Sequence, residues 1–148
     1  MTRARKILVG LLALSFGGGA SADGAHAQAR VSVSVPPSAK SASYVALDLS
    51  VRSLRKPATG TIAGVVRLGR AGSGNAVEVG RISLVSRSFN ATSADQQQRF
   101  QFNVTRAVKQ LDLAGGTAQV EVSLIDRASG AAPSGADIVI GSAQISVR

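Results

Sequence analysis

The chain has 148 residues with 17 Lys and Arg against 8 Asp and Glu, a formal net charge of +9, and it contains no cysteine, no tryptophan, one methionine and one histidine, His26. Copper and zinc sites need imidazole, thiolate or thioether ligands, and Ser–His–Asp or Cys–His catalysis needs an imidazole base. Beyond His26 none of these can be assembled, so no catalytic, cofactor-binding or metal-binding residue is assigned, and without a disulfide the domain must be held by its core alone.

Arg3, Arg5 and Lys6 precede the apolar run ILVGLLALSF at residues 7–16, and small residues then lead to Ala25-His26-Ala27-Gln28-Ala29. This order predicts a secretory signal peptide with an A-x-A cleavage site. Cleavage is expected after Ala29, with Ala22 and Ala27 as alternatives. The apolar run is too short for a hydrocarbon core of about 30 Å, which argues against a retained membrane anchor and leaves no transmembrane segment after cleavage. Ala4 separates Arg3 from Arg5, so a Sec-type route is expected rather than a twin-arginine one. The expected localisation is export, to the periplasm or the extracellular medium. Residues 30–148 keep 14 basic and 7 acidic side chains, a balance of +7, and are long enough for one domain.

Period-two alternation recurs along that domain and predicts strands with one buried face. Val31, Val33 and Val35 alternate with serines until Pro36-Pro37, where proline cannot donate to a ladder. Val45, Leu47, Leu49 and Val51 face one way, with Ala46, Asp48, Ser50 and Arg52 opposite; residues 53–60 read as a basic loop. Ile62, Gly64, Val66 and Leu68 form the next face, and RAGSGN at residues 70–75 is a turn. The apolar parity then flips across Gly80, from Val77 and Val79 to Ile82 and Leu84, which predicts a bulge at that glycine.

Residues 90–98 read as a polar loop, and residues 99–104 (RFQFNV) alternate again. Thr105 is placed as the cap of a short helix over 106–111, ending near Gly115-Gly116. Val120, Val122 and Leu124 make a further strand, ASGAAPSG at 128–135 a loop, and Ile138, Ile140, Ile145 and Val147 a last strand with no register change assigned at Gly141. The expectation is an all-β fold: a small antiparallel β-sandwich of about seven or eight strands with one short helix near 105–111. Phe100 and Phe102 share a strand face and are assigned to the core rather than to a stacking platform, since so few large residues are available.

The acids Asp48, Glu78, Asp95, Asp112, Glu121, Asp126 and Asp137 are too scattered for an EF-hand loop and read as solvated surface charge. Arg52, Arg55 and Lys56 form the one tight basic group; with Arg67 and Arg70 they would make a polyanion contact. The scarcity of aromatics argues against specific nucleic-acid binding. Asn90-Ala91-Thr92 and Asn103-Val104-Thr105 fit the glycosylation pattern, yet strand-end pairing is the simpler role for Asn103.

From Val77 to Val147 the order VGRISL, a polar gap, RFQFNVT with a short helix, VEVSLI and IVIGSAQISV resembles the C-terminal β-sandwich domain of tyrosinases and polyphenol oxidases, the type 3 copper enzymes. The F-D-V motif of that family is represented by Phe102-Asn103-Val104, with Asn for Asp, and Gln101 stands where the plant pattern has Lys. The histidine-bearing copper domain of that family has no counterpart here, so no catalytic residue carries over. The resemblance implies an accessory role: a non-catalytic domain that packs beside a copper oxidase, with Tyr44 and Phe89 as candidates to project towards its site. The alternatives are a structural or adhesive surface module that self-associates through its terminal strands, and a polyanion-binding basic domain.

Overall fold

A computed structural model describes residues 27–57, 60–83 and 88–148. The basic and apolar parts of the expected signal peptide, and Leu84, lie outside the described residues. Among the described residues there are eight strands and one α-helix: β1 (Gln28–Ser34), β2 (Val45–Arg55), β3 (Ile62–Arg70), β4 (Ala76–Ser83), β5 (Phe89–Asn90), β6 (Gln98–Asn103), α1 (Thr105–Gln110), β7 (Thr117–Asp126) and β8 (Asp137–Val147). All pairings are antiparallel. One sheet has the order β1-β7-β3-β4. The other is built on β2, which bonds β8 along one edge and β6 and then β5 along the other. The expected antiparallel β-sandwich with a single short helix is therefore the observed fold.

The alternating faces assemble the core. Leu47 sits between Phe102 and Ile145, and Leu49 between Phe100 and Ala143. From the facing sheet come the rows Val31–Val120–Leu68 and Ala29–Val122–Val66. The two phenylalanines pack against this aliphatic cluster, as expected of core residues. Ala107 and Val108 of α1, with Ala39 from a 3-10 turn at Pro37–Lys40, close one end.

The bulge at Gly80 is present: Val66 pairs with Gly80 and Arg67 with Glu78, leaving Val79 as the extra residue. Room, rather than conformational freedom, explains the glycine. A Cβ on Gly80 would lie 2.6 Å from Phe102 Cε1, so the aromatic ring of one sheet rests on the bare backbone of the other.

Four details differ from the sequence expectation. β2 continues through Arg55 instead of entering a loop at residue 53, because a bulge at Arg52 against β8 turns Leu54 inward, where it pairs with Phe89 and Ile138. Gly141 is also bulged, since Ser50 pairs with Ser142 and Val51 with Ile140. The inward residues accordingly pass from even numbers (Ile138, Ile140) to odd ones (Ala143, Ile145). Phe89–Asn90 forms the short strand β5 where a loop begins in the sequence. Finally, Thr105 does not cap α1 with its own side chain: Asn103 Oδ1 accepts from the Thr105 backbone N–H (3.1 Å) and hydroxyl (2.7 Å). Past the helix, the chain turns so that Gly115 and Gly116 bond the backbone of Val35.

Candidate functional site

The outer face of the β8–β2–β6 sheet carries a groove. Its side chains alternate with the core residues, so register sets their neighbours. Asp48 lies between Gln101 and Gln144, and Ser50 between Arg99 and Ser142. With Gln97 and Ala94 from the turn before β6, these residues line an open groove of about 650 Å³.

Its polar groups are largely satisfied by one another. The hydroxyls of Ser50 and Ser142 are hydrogen-bonded at 2.7 Å. Asp48 accepts from Gln101 Nε2 at 2.8 Å and from Arg148 Nη2 at 3.2 Å. Neither serine faces a base that could take its proton, and Asp48 is already charge-compensated, so the arrangement holds no activated nucleophile. Arg99 is exposed, and its guanidinium makes no hydrogen bond or ion pair among the described residues.

Gln97 forms one wall by reaching across β2 to the bulge at Gly141, where its amide occupies the space that a Cβ would take. Gly141→Ala is expected to push the amide aside. Because only the end of a flexible, partly exposed side chain must move, the stability cost should stay below about 1 kcal/mol. Urea denaturation would measure the cost, and the side-chain amide resonances of Gln97 should shift.

The five basic residues singled out in the sequence do not form one patch. Arg52, Arg55 and Lys56 share the end of β2; Arg55 pairs with Asp137 at 3.6 Å, and the Lys56 backbone N–H donates to Ser88 Oγ at 3.0 Å. Arg67 lies on the other sheet near Glu121 at 3.9 Å. Arg70 is at the far end of the sandwich, on the order of 30 Å away along the strands. There it donates to the carbonyls of Leu111 (2.6 Å) and Asp112 (3.2 Å). Arg52 alone of the five is exposed with no side-chain partner among the described residues.

The outer face of the other sheet carries an alternating charge row, Arg30–Glu121–Arg67–Glu78, one residue from each strand. Arg30 and Glu121 pair at 2.9 Å, and Arg81 and Glu78 at 2.8 Å. In a regular strand residues 78 and 81 would face opposite sides; the bulge at Val79 brings both outward. The hydrogen bond from Arg81 outweighs desolvation and, with the charges of Arg81 and Arg67, holds the Glu78 carboxyl below the ordinary glutamate range. Its contribution to stability is therefore present at neutral pH and lost as pH falls through the lowered value. An NMR titration should find Glu78 below that range and, in Arg81→Gln, returned towards it.

Arg99 and Gln97 were not marked by the sequence as site residues; the outward parity of Arg99 was visible, but its neighbours across β2 were not. Phe89 packs on the core from β5, and Tyr44 is half-buried just before β2, its carbonyl accepting from the Arg148 N–H. Among the described residues no cluster of three or more His, Cys, Asp or Glu side chains converges as a metal site. No helix among them is long and apolar enough to cross a membrane.

No protein-family model matches the chain, and no curated protein matches it. The solved structures that the chain matches include two of one enzyme. Latent aurone synthase (polyphenol oxidase) from natural source superposes with a TM-score of 0.45 at 10% identity, over 81% of this chain and 24% of that one. The recombinantly expressed latent aurone synthase gives 0.44 at 10% identity, over 82% and 24%. Both are polyphenol oxidases, the enzyme group whose accessory domain residues 77–147 resemble. The chain thus spans about a quarter of the length of these enzymes. Likeness at this level assigns neither family nor activity.

Proposed function

We propose that the chain is a non-catalytic, exported accessory module that binds a protein partner, a tyrosinase-like copper oxidase, through the outer face of the β8–β2–β6 sheet. The observation that carries this reading is the groove itself: polar side chains held in place by one another on a rigid sheet, with no residue poised to react. Such pre-ordering lowers the cost of recognition. The choice of partner rests on the sequence resemblance at Phe102-Asn103-Val104 and the strand order around it. Affinity purification of the full chain from its native source tests the reading. Co-elution of a copper-containing oxidase supports it; recovery of no such protein removes the oxidase assignment.

Export forms part of the proposal and makes its own prediction. β1 begins at Gln28, and Ala27 is buried in the core. Cleavage after Ala29 would therefore remove two strand residues. Cleavage after Ala27 would remove that core residue, whereas cleavage after Ala22 keeps it, so the processed N-terminus is expected at Asp23, and N-terminal sequencing would show it.

A second reading has one observation in its favour. Both terminal strands, β1 and β8, lie at sheet edges, where a strand from another molecule can add. Concentration-dependent assembly in light scattering would support a structural module; a constant monomer would count against it.

A further inference from the structure

We infer that the groove is a carboxylate-binding site, and that Arg99 receives an acidic side chain of the partner polypeptide. The inference rests on the binding role proposed above and names the chemistry the partner must present. Arg99 is the uncommitted charge of the groove: the acid beside it, Asp48, is already neutralised by Arg148 and hydrogen-bonded by Gln101. The remaining polar side chains of the lining are hydroxyls and carboxamides, Ser50, Ser142, Gln97 and Gln144, which can donate to an oxyanion. A guanidinium offers a planar fork that fits a carboxylate with two parallel hydrogen bonds.

Arg52 reinforces the bias. On β2 it follows Ser50, the cross-strand neighbour of Arg99, and it also lacks a side-chain partner among the described residues. Two uncompensated arginines on neighbouring strands of one sheet add to the positive potential there. The domain as a whole, with 14 basic against 7 acidic side chains over residues 30–148, would also attract acidic partners.

The lining also favours a peptide carboxylate over a base or a sugar ring. Bases and sugars are commonly held by stacking on an aromatic face. The Phe100 ring instead packs against the core, in register with Leu49 and Ala143.

The test is fluorescence anisotropy of a labelled short poly-L-glutamate peptide titrated with the full chain. Binding is expected, weakening as salt rises. Arg99→Gln should lower the affinity about tenfold or more, as truncating one partner of a hydrogen-bonded charge pair does. Arg30→Gln removes the same charge from the opposite sheet and should change the affinity by less than about threefold, as expected of screened long-range charge alone. The unfolding midpoint of Arg99→Gln should match the parent within error, and that of Arg30→Gln, which loses an exposed ion pair with Glu121, should fall only slightly. Equal losses in the two variants would reduce the effect to net charge and overturn the site. So would absence of peptide binding, or Arg99-dependent binding of polygalacturonate in place of the peptide. Co-purification of the oxidase undiminished by Arg99→Gln would overturn the site while leaving the proposed function standing.

Discussion

Phe102→Ala is expected to destabilise the domain by about 3 kcal/mol, the lower part of the range for truncating a phenylalanine, because the ring is only partly buried. Gly80→Ala should cost about 1–3 kcal/mol by the opposite mechanism, overpacking: the new methyl would press on the Phe102 ring, 2.6 Å from Cε1. The two changes should not add. With the ring removed, the methyl on residue 80 partly fills the space it vacated, so the double variant should be about 1 kcal/mol or more stabler than the sum of the single effects. Urea denaturation of the four proteins measures this coupling. Strict additivity would mean that Phe102 and Gly80 do not share the contact that joins β6 to β4 across the sandwich.

That contact shows what a sequence can reveal of this fold. The flip from Val79 to Ile82 across a glycine was legible because apolar residues flank the bulge closely on both sides. At Gly141 the same flip runs from Ile138 and Ile140 to Ile145 and Val147, but the large apolar residues on its two sides are five positions apart with only the small Ala143 between them, so the bulge is less sharply marked. At Arg52 no glycine is involved. That bulge exists only relative to β8, some 90 residues away, and a single residue, Leu54, is its local sign. The groove was illegible for the same reason. Gln97 meets Gly141 by reaching over β2, and Arg99 stands beside Ser50 through the β2–β6 register. Conversely, the basic residues that looked like one set are divided between two sheets and two ends of the molecule, because β3 runs back along the other layer. Alternation identifies the face of a residue; pairing decides its company, and pairing is a long-range property.

Thr105→Ala is expected to cost about 1–3 kcal/mol, the penalty for leaving a buried backbone N–H without an acceptor. The hydroxyl of Thr105 works in both directions: its oxygen accepts from the fully buried Val45 N–H at 2.8 Å, and its proton is donated to Asn103 Oδ1 at 2.7 Å. The Val45 carbonyl is taken in turn by the Val104 N–H at 2.9 Å. Both backbone groups that begin β2 are thus closed by the corner between β6 and α1. Thr105→Ser keeps the hydroxyl and should recover most of the loss, whereas Thr105→Val keeps the shape and should not. Asn103→Asp, which restores the acid of the resembled motif, keeps an acceptor at the same position and should leave stability within about 0.5 kcal/mol or raise it. Hydrogen exchange at the Val45 amide would localise these effects. Slow exchange in the serine variant and fast exchange in the alanine and valine variants would establish that Phe102-Asn103-Val104 and the threonine after it form a structural corner. The three residues would then have separate tasks: Phe102 packing on the opposite sheet, Asn103 holding the helix start, and Val104 entering the core. A motif with those tasks specifies how the chain turns, and the contacts to a partner belong to the outer sheet face.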